Sequence, residues 1–430
     1  MLDINLIRNS PKIIEKDLKK RKDKEKIKLF NDLVEKDILW RKKKKNIEDL
    51  KHDRNVITKE INELKKSGKK ADKKIKEASE ISSQIKTDET LVEELYEEMK
   101  KQLMRLPNLM DSSVPIGDDD TQNVEVKRFG NITEKDFEIK NHGELLESIN
   151  LADFDQAAKV SGAGFNFLIG DAAKLSRALS QLAIDYLIEK GYKLVETPLM
   201  IHRAAYEGAV DLSDFESVMY KIDNEDLYLI ATSEHSMNAL FEGKVIAEES
   251  LPIKLIALTP CFRKEIGSRG VDTKGIFRVH QFYKLEQFII CKPEDSSKFH
   301  EELINNAIEI TKKIEVPFRQ VNICTGDLGT VASKKYDLEC WSPRQKKFIE
   351  THSGSNCTDY QARRSNIKYG KYGGEKAYPH TLNCTAMAVG RMMVVLLENH
   401  QNMDGSINIP KALRPYMGGQ TRIVKKEAKK

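Results

Sequence analysis

Residues 258–290 read LTPCFRKEIGSRGVDTKGIFRVHQFYKLEQFII. Over 276–290 the odd positions Phe277, Val279, Gln281, Tyr283, Leu285 and Ile289 are mostly apolar. The even positions Arg278, His280, Phe282, Lys284 and Glu286 carry charge and one aromatic ring. A period of two predicts a strand over 276–290 with one face on a core. A second strand is predicted over 253–263, and Arg263 and Glu265 fall two residues apart, on one face. The connection 266–275 holds Gly267, Gly270 and Gly275, with Ile266 and Val271 as its only apolar residues, so it reads as a flexible, exposed hairpin loop. Taken alone, the charged face is a solvated sheet surface. Two adjacent strands, however, would gather Arg263, Glu265, Arg278, Phe282 and Glu286 on one surface. Guanidinium groups beside an aromatic ring suit a nucleotide, phosphate on the cation and base on the ring.

Around this hairpin the chain alternates short strands with helices. Residues 172–190 carry Leu175, Leu179, Leu182 and Tyr186 on one stripe of an amphipathic helix. The helix stops at Gly191, and a strand runs into Pro198. Further strands are predicted over 227–232 and 347–353. The hairpin-like spacing implies an antiparallel sheet with flanking helices, an α+β body.

Three further segments carry chemistry. A helix is predicted over 381–402, apolar nearly all round from Met387 to Leu397 except for Arg391. A guanidinium buried there needs an anion, either a protein carboxylate or a ligand phosphate. Thr232, Ser233 and Glu234 follow an apolar strand; they suit a helix cap, or a hydroxyl and carboxylate pocket for an ammonium group. Glu350, Thr351, His352 and Ser353 follow another strand and are compatible with Mg²⁺ held between protein oxygen and phosphate.

The first quarter of the chain differs in kind. From 27 to 106 it is rich in Lys, Glu, Leu and Ile, after a short helix and loop over 1–26. Ile47, Leu50, Ile57, Ile61 and Leu64 recur at steps of three and four, with Arg54 in the missing slot. Ile85, Val92, Leu95, Met99, Leu103 and Leu106 repeat the pattern. Ser67, Gly68, Lys69 and Lys70 lie between the halves as the turn. Two heptad helices joined by a short turn form an antiparallel hairpin, a coiled coil with arms of about 50 Å. Heptads commonly serve dimerisation alone, but here the helices pair with each other and the outside is basic, with five cations at 41–45. Residues 1–105 carry 30 basic and 22 acidic side chains, a net of +8, against −3 for the remainder. Such asymmetry points to an anionic partner.

Composition narrows the classes. With 40 % hydrophobic residues a sizeable core forms, so wholesale disorder is excluded. No run approaches the roughly 20 apolar residues of a membrane span, and the first ten residues hold no apolar secretory segment. The cysteines, at 261, 291, 324, 340, 357 and 384, form no CxxC pair, so they read as reduced cytosolic thiols rather than as a zinc knuckle.

Together these segments resemble the seryl-tRNA synthetases, class II aminoacyl-tRNA synthetases, over nearly the whole chain. The resemblance rests on the basic hairpin and the connector LPNLMDSSVPIGDDDTQNVEVKRFG (106–130). It also rests on three motifs in order: 191–198, CFRKEIGSRGVDTKGIFRVHQFYKLEQF (261–288) and LNCTAMAVGRMMVVLLENHQ (382–401). It implies an N-terminal tRNA-binding hairpin domain over 1–108 and a catalytic domain over 109–430, with a disordered basic tail from about 424. It further implies a six-stranded antiparallel sheet with helices around it, and a homodimer through the first motif. The implied reaction is ATP-dependent formation of seryl-adenylate, then transfer of serine to the 3′ end of tRNA(Ser), with tRNA(Sec) as a candidate second acceptor. The hairpin would embrace the long variable arm of the tRNA across the dimer. Serine, ATP, Mg²⁺ and tRNA are the implied partners; the setting is cytoplasmic and no membrane is involved.

Residue by residue, the resemblance makes Arg263 the bridge between the α-phosphate and the serine carboxylate. Lys264 adds charge near the phosphates, where serine is common in relatives. Glu265 would contact the nucleotide, Phe282 would stack on adenine with backbone contact near Val279, and Arg278 would hold the bent triphosphate. Arg391 would meet the γ-phosphate, and Glu350 and Ser353 would hold Mg²⁺ within the ATP-binding run that includes Thr351 and His352. Thr232, Ser233, Glu234 and Glu286 would recognise the serine ammonium, and Asn383 and Thr385 its hydroxyl. Zinc-dependent seryl enzymes bind the amine with the help of cysteine; nothing in this sequence supplies that ligand set, so no zinc is expected.

Overall fold

The computed structural model describes residues 1–265 and 274–425. They form two compact units, Met1–Pro107 and Asn108–Lys430. Most of the expected hairpin loop 266–275, and the tail beyond 425, lie outside the described residues.

The first unit is helical: α1 (Ile4–Asn9), α2 (Pro11–Lys20), α3 (Lys24–Lys66) and α4 (Asp72–Arg105). The expected short helix and loop over 1–26 is thus two helices and the start of a third. The Asp23 carboxylate caps α3 by accepting from the Lys26 amide. Gly68 takes φ +70° in the turn between the long arms, a conformation that favours glycine. Ile47, Ile57, Ile85, Leu95, Met99 and Leu103 are buried between α3 and α4. Leu50, Ile61, Leu64 and Val92 are only half-buried, because a two-helix seam has no third layer to cover it.

Two buried carboxylates tie the helices together, Asp88 across the α3–α4 seam and Asp37 between α3 and α1. Asp88, 1 % exposed, accepts from Lys43 Nζ at 2.9 Å, Asn46 Nδ2 at 2.8 Å and Gln84 Nε2 at 3.1 Å. Asp37 is likewise buried and takes Arg8 at 2.6 Å and Arg41 at 2.9 Å. Two of the cations at 41–45 thus have acidic partners within the unit, Arg41 with Asp37 and Lys43 with Asp88, while remaining partly exposed. A buried acid that must meet a particular cation fixes the register of the two arms.

In the second unit a mixed sheet holds the core. Its strands are β1 (Val124–Phe129), β2 (Lys193–Leu194), β3 (Ile253–Phe262), β4 (Gln281–Cys291), β5 (Phe318–Asn322), β6 (Lys334–Ser342), β7 (Lys347–Asn356) and β8 (His380–Ala388). Their order is β1-β5-β6-β7-β8-β4-β3-β2. All pairs are antiparallel except β2 with β3. The six central strands match the implied antiparallel sheet, and β1 and the short β2 extend its edges. Helices α5 (Asp171–Glu189), α6 (Arg203–Ala209), α7 (Ser233–Ala239), α8 (Ser296–Lys312), α9 (Tyr360–Arg364) and α10 (Val389–His400) surround it. Leu175 and Leu179 of α5, Leu303 of α8, Leu285 and Ile289 of β4 and Leu396 of α10 share one buried cluster.

Element boundaries differ from the sequence reading in places: the strand predicted over 227–232 is only Tyr228–Leu229, paired with Met200–Ile201 outside the main sheet. The strand predicted over 276–290 begins only at Gln281. Upstream of it the chain leaves the ladder, and the buried His142 Nε2 accepts the Ile276 amide at 3.2 Å instead. The predicted helix over 381–402 begins only at Val389. Residues 380–388 form a strand because they have partners on both sides, β7 and β4. A short apolar run does not by itself distinguish strand from helix.

Candidate active site

A cleft of about 340 Å³ opens over the centre of the sheet. Its floor comes from the even positions of β4, Phe282, Lys284 and Glu286, since Leu285 and Ile289 are turned into the core. β8 adds Asn383 and Thr385, because Thr385 lies opposite Glu286 in the ladder. β7 adds Glu350, Thr351 and Ser353, and the first turn of α10 adds Gly390 and Arg391. Arg263 and Glu265 enter where β3 ends; Arg278 and Val279 come from the segment before β4. Thr232 and Glu234 close one wall at the start of α7.

One corner is rich in carboxylate. Glu234 Oε1 accepts from Asn383 Nδ2 at 2.9 Å and from Gln361 Nε2 at 2.7 Å. Glu286, 1 % exposed, pairs with Lys284 Nζ at 2.6 Å and accepts from the Thr385 hydroxyl at 3.3 Å. Burial, then the nearby Glu286 charge, push Glu234 up to about 7. Thr232 caps α7 by accepting from the Glu234 amide at 3.3 Å. The cap and the pocket wall are thus the same residue.

Arginines line the same cleft. Arg263 donates through Nε and Nη2 to the Ala231 carbonyl, each at 3.3 Å, with its guanidinium 5.5 Å from the Phe282 ring centre. Arg391 donates to the Glu350 carbonyl at 3.0 Å and sits 3.3 Å from its carboxylate. The sequence suggested a buried Arg391, but its side chain is 35 % exposed and Glu350's is 50 % exposed, both facing the cleft. The walls of the cleft desolvate Glu350, but Arg391, Lys335 and Arg263 more than offset this and hold it below the ordinary carboxylate range. At Gly390 an added Cβ would meet the Ile276 carbonyl at 2.9 Å, so only glycine lets this helix start so close to the segment carrying Arg278.

Three predicted residues do not reach the cleft. The Ser233 hydroxyl is fully enclosed and donates to the Ala257 carbonyl at 3.2 Å. Lys264 falls between the two residues that face inward; its amide donates to the Val218 carbonyl at 2.8 Å and its ammonium lies 5.6 Å from the Tyr220 ring. His352 is buried behind β7, donating through Nε2 to the Ala386 carbonyl at 3.2 Å. Conversely, Lys284, His235 and Phe277 line the cleft without having been assigned a role. Lys284 was signalled by its even position on β4. His235 carries no pattern signal; burial keeps its imidazole neutral, and its ring packs 4.7 Å from that of Tyr206.

Comparison with known proteins bears on the family and the fold. The model of the tRNA synthetase class II core domain (G, H, P, S and T) matches residues 217–400, and that of the seryl-tRNA synthetase N-terminal domain matches residues 1–110. A serine–tRNA ligase of Methanocella arvoryzae is 52 % identical over 421 residues, 97 % of this chain and 99 % of that ligase. The crystal structure of seryl-tRNA synthetase from Pyrococcus horikoshii complexed with ATP superposes with a TM-score of 0.95 at 44 % identity, covering 99 % of this chain and 100 % of that one. The cytoplasmic serine–tRNA ligase of Naegleria fowleri in complex with AMP gives 0.90 at 32 % identity, covering 99 % of each chain. With about half its residues identical to those of a serine–tRNA ligase over nearly its whole length, and with both domain models matched, the chain belongs to the seryl-tRNA synthetase family.

Proposed function

We propose that this chain activates L-serine with ATP and transfers it to the 3′ end of tRNA(Ser). One observation carries the reading: Arg263 lies over the Phe282 ring and near enough to Glu234 to act on its charge, in a cleft that also holds Glu286. A nucleotide on one side and an ammonium on the other would bring the α-phosphate and the amino-acid carboxylate together at this guanidinium.

The serine carboxylate oxygen attacks the α-phosphorus, the bond to the bridging oxygen breaks, and diphosphate leaves with the electron pair. A terminal ribose hydroxyl of the tRNA then attacks the seryl carbonyl, and AMP leaves. Neither step needs a side-chain nucleophile. Arg263 neutralises the two approaching anions, Phe282 stacks on adenine, and Arg278 and Arg391 hold the remaining phosphates. Glu265 and the Val279 backbone contact the nucleotide. Glu234 and Glu286, with Thr232 beside them, take the ammonium, and Asn383 and Thr385 take the hydroxyl. A pocket built to hydrogen-bond that hydroxyl rejects alanine, because its buried partners would be left unpaired.

Glu350 and Ser353 offer two hard oxygen donors on the same wall. The described residues contain no cluster of three or more His, Cys, Asp or Glu suited to a metal. Two protein oxygens completed by phosphate and water suit Mg²⁺, which keeps much of its hydration. When bound, the ion would neutralise charge on the phosphates.

The net +8 of residues 1–105 supports the helical hairpin as the tRNA-binding element, since basic rods suit an RNA backbone read by shape. The exposed apolar side chains Ile188, Leu194, Leu199 and Met200 around the first motif support a homodimer through that surface. Six buried, unpaired cysteines suit a reducing cytoplasm. No helix among the described residues is long and apolar enough to cross a membrane. The test is amino-acid-dependent ATP–diphosphate exchange across the twenty amino acids: serine alone is expected to respond, and a response to another amino acid without serine would overturn the reading.

A further inference from the structure

Gln361 sits on the short helix α9, outside every motif, and is fully buried. Its amide is committed on every side. Nε2 donates to Glu234 Oε1 at 2.7 Å and to the Ala209 carbonyl at 3.0 Å. Oε1 accepts from the Thr381 hydroxyl at 2.6 Å. The Ala209 carbonyl, which can only accept, fixes which end of the amide faces Glu234, since a flipped amide would set two acceptors against each other. The Ala209 bond ties the same amide to the end of α6, just before Val210, which lines the cleft. Arg364, one helical turn on, donates to the Glu207 and Val210 carbonyls at 2.6 Å each. So α9 clamps both the carboxylate and the wall beside it.

We propose that Gln361 is the positioning residue of the serine-ammonium site: it holds the Glu234 carboxylate in orientation, with Thr381 as its anchor. The proposal rests on the reading of Glu234 as an ammonium partner. The charged and titratable groups facing Glu234 are Glu286 and Lys284 from β4, Arg263 beyond β3, and the Cys357 thiol next to Asn383. Glu286 opposes its ionisation; Lys284 and Arg263 favour it, and Gln361 favours it more than either. Removing the Gln361 donor therefore makes Glu234 harder to ionise, and serine binding should then require higher pH.

The test is serine-dependent ATP–diphosphate exchange by the full chain carrying Gln361→Met, which keeps volume and removes both polar ends. The serine KM is expected to rise about 10-fold or more, as for loss of a hydrogen bond to a charged group. The ATP KM should stay within about 2-fold, and the acid limb of kcat/KM for serine should move to higher pH. A looser pocket without this role would raise KM and leave the acid limb in place, which overturns the proposal, as does an unchanged serine KM. Thr381→Val, which removes only the anchor, serves if the first variant does not fold: a serine KM raised a few-fold, about 3-fold, supports the proposal and an unaltered one overturns it. Glu234→Gln separates the two levels. If that variant binds serine normally, the ammonium reading fails; if it binds poorly while both Gln361→Met and Thr381→Val bind normally, only the role of Gln361 fails.

Discussion

Glu234→Gln is the most informative single change, because it should weaken substrate binding and strengthen the fold. The side chain keeps its shape, and Gln361 and Asn383 can still donate to its oxygen. In the folded chain the carboxyl is held at about 7 against an ordinary 4.5, chiefly by burial and then by Glu286. The unfolded chain therefore releases this proton first. Stability that the neutral form keeps below about pH 4.5 is lost as the pH rises through about 7. At about pH 8 the ionised group costs at most about 3 kcal/mol, less whatever the open edge of the cleft returns by solvation. Thermal unfolding of parent and variant should give similar midpoints near pH 4.5 and a higher midpoint for the variant near pH 8. The serine KM in ATP–diphosphate exchange should rise about 10- to 100-fold, since an ion pair to the ammonium is gone. Saturating serine should stabilise the parent by about 3 kcal/mol at 100 times its Kd and the variant by less. A variant no more stable than the parent near pH 8, or one with the parent's serine KM, would refute the reasoning.

Phe282→Ala should raise the ATP KM about 10-fold, as loss of base stacking does, with the serine KM nearly unchanged; steady-state exchange kinetics read both. Thr385→Ala removes the hydroxyl that donates to Glu286 at 3.3 Å; it should raise the serine KM and weaken discrimination against alanine, and unchanged selectivity would remove Thr385 from the hydroxyl site. Deleting residues 30–104 should leave exchange nearly intact and abolish aminoacylation, because the catalytic cleft lies wholly within the second compact unit; equal loss of both activities would contradict that division of labour.

Much of the site was legible because sheet parity is a strict code. Alternation along 281–288 put Phe282, Lys284 and Glu286 on one face, and that face is the floor of the cleft. The same rule failed on 276–280, where a distant side chain, His142, takes the Ile276 amide and ends the ladder early. The sequence predicts helix over 381–402, but its first part is a strand, because pairing with two neighbours, which the sequence does not show, decides the conformation there. Ser233, Lys264 and His352 fell inside short segments whose other residues reach the cleft, yet they do not line it, since neighbours along a chain face different ways. Asp88 gave no signal in the heptad pattern; its role needs Lys43 and Asn46 across the seam. Gln361 gave no signal, because its partner Glu234 lies 127 residues away.

The central claim is tested most directly by transfer of labelled serine to purified tRNA(Ser) by the full chain with ATP. The account predicts seryl-tRNA formed only when ATP is present, with neither alanine nor threonine attached in its place. Attachment of another amino acid, or serine-dependent exchange with no transfer to tRNA, would contradict it.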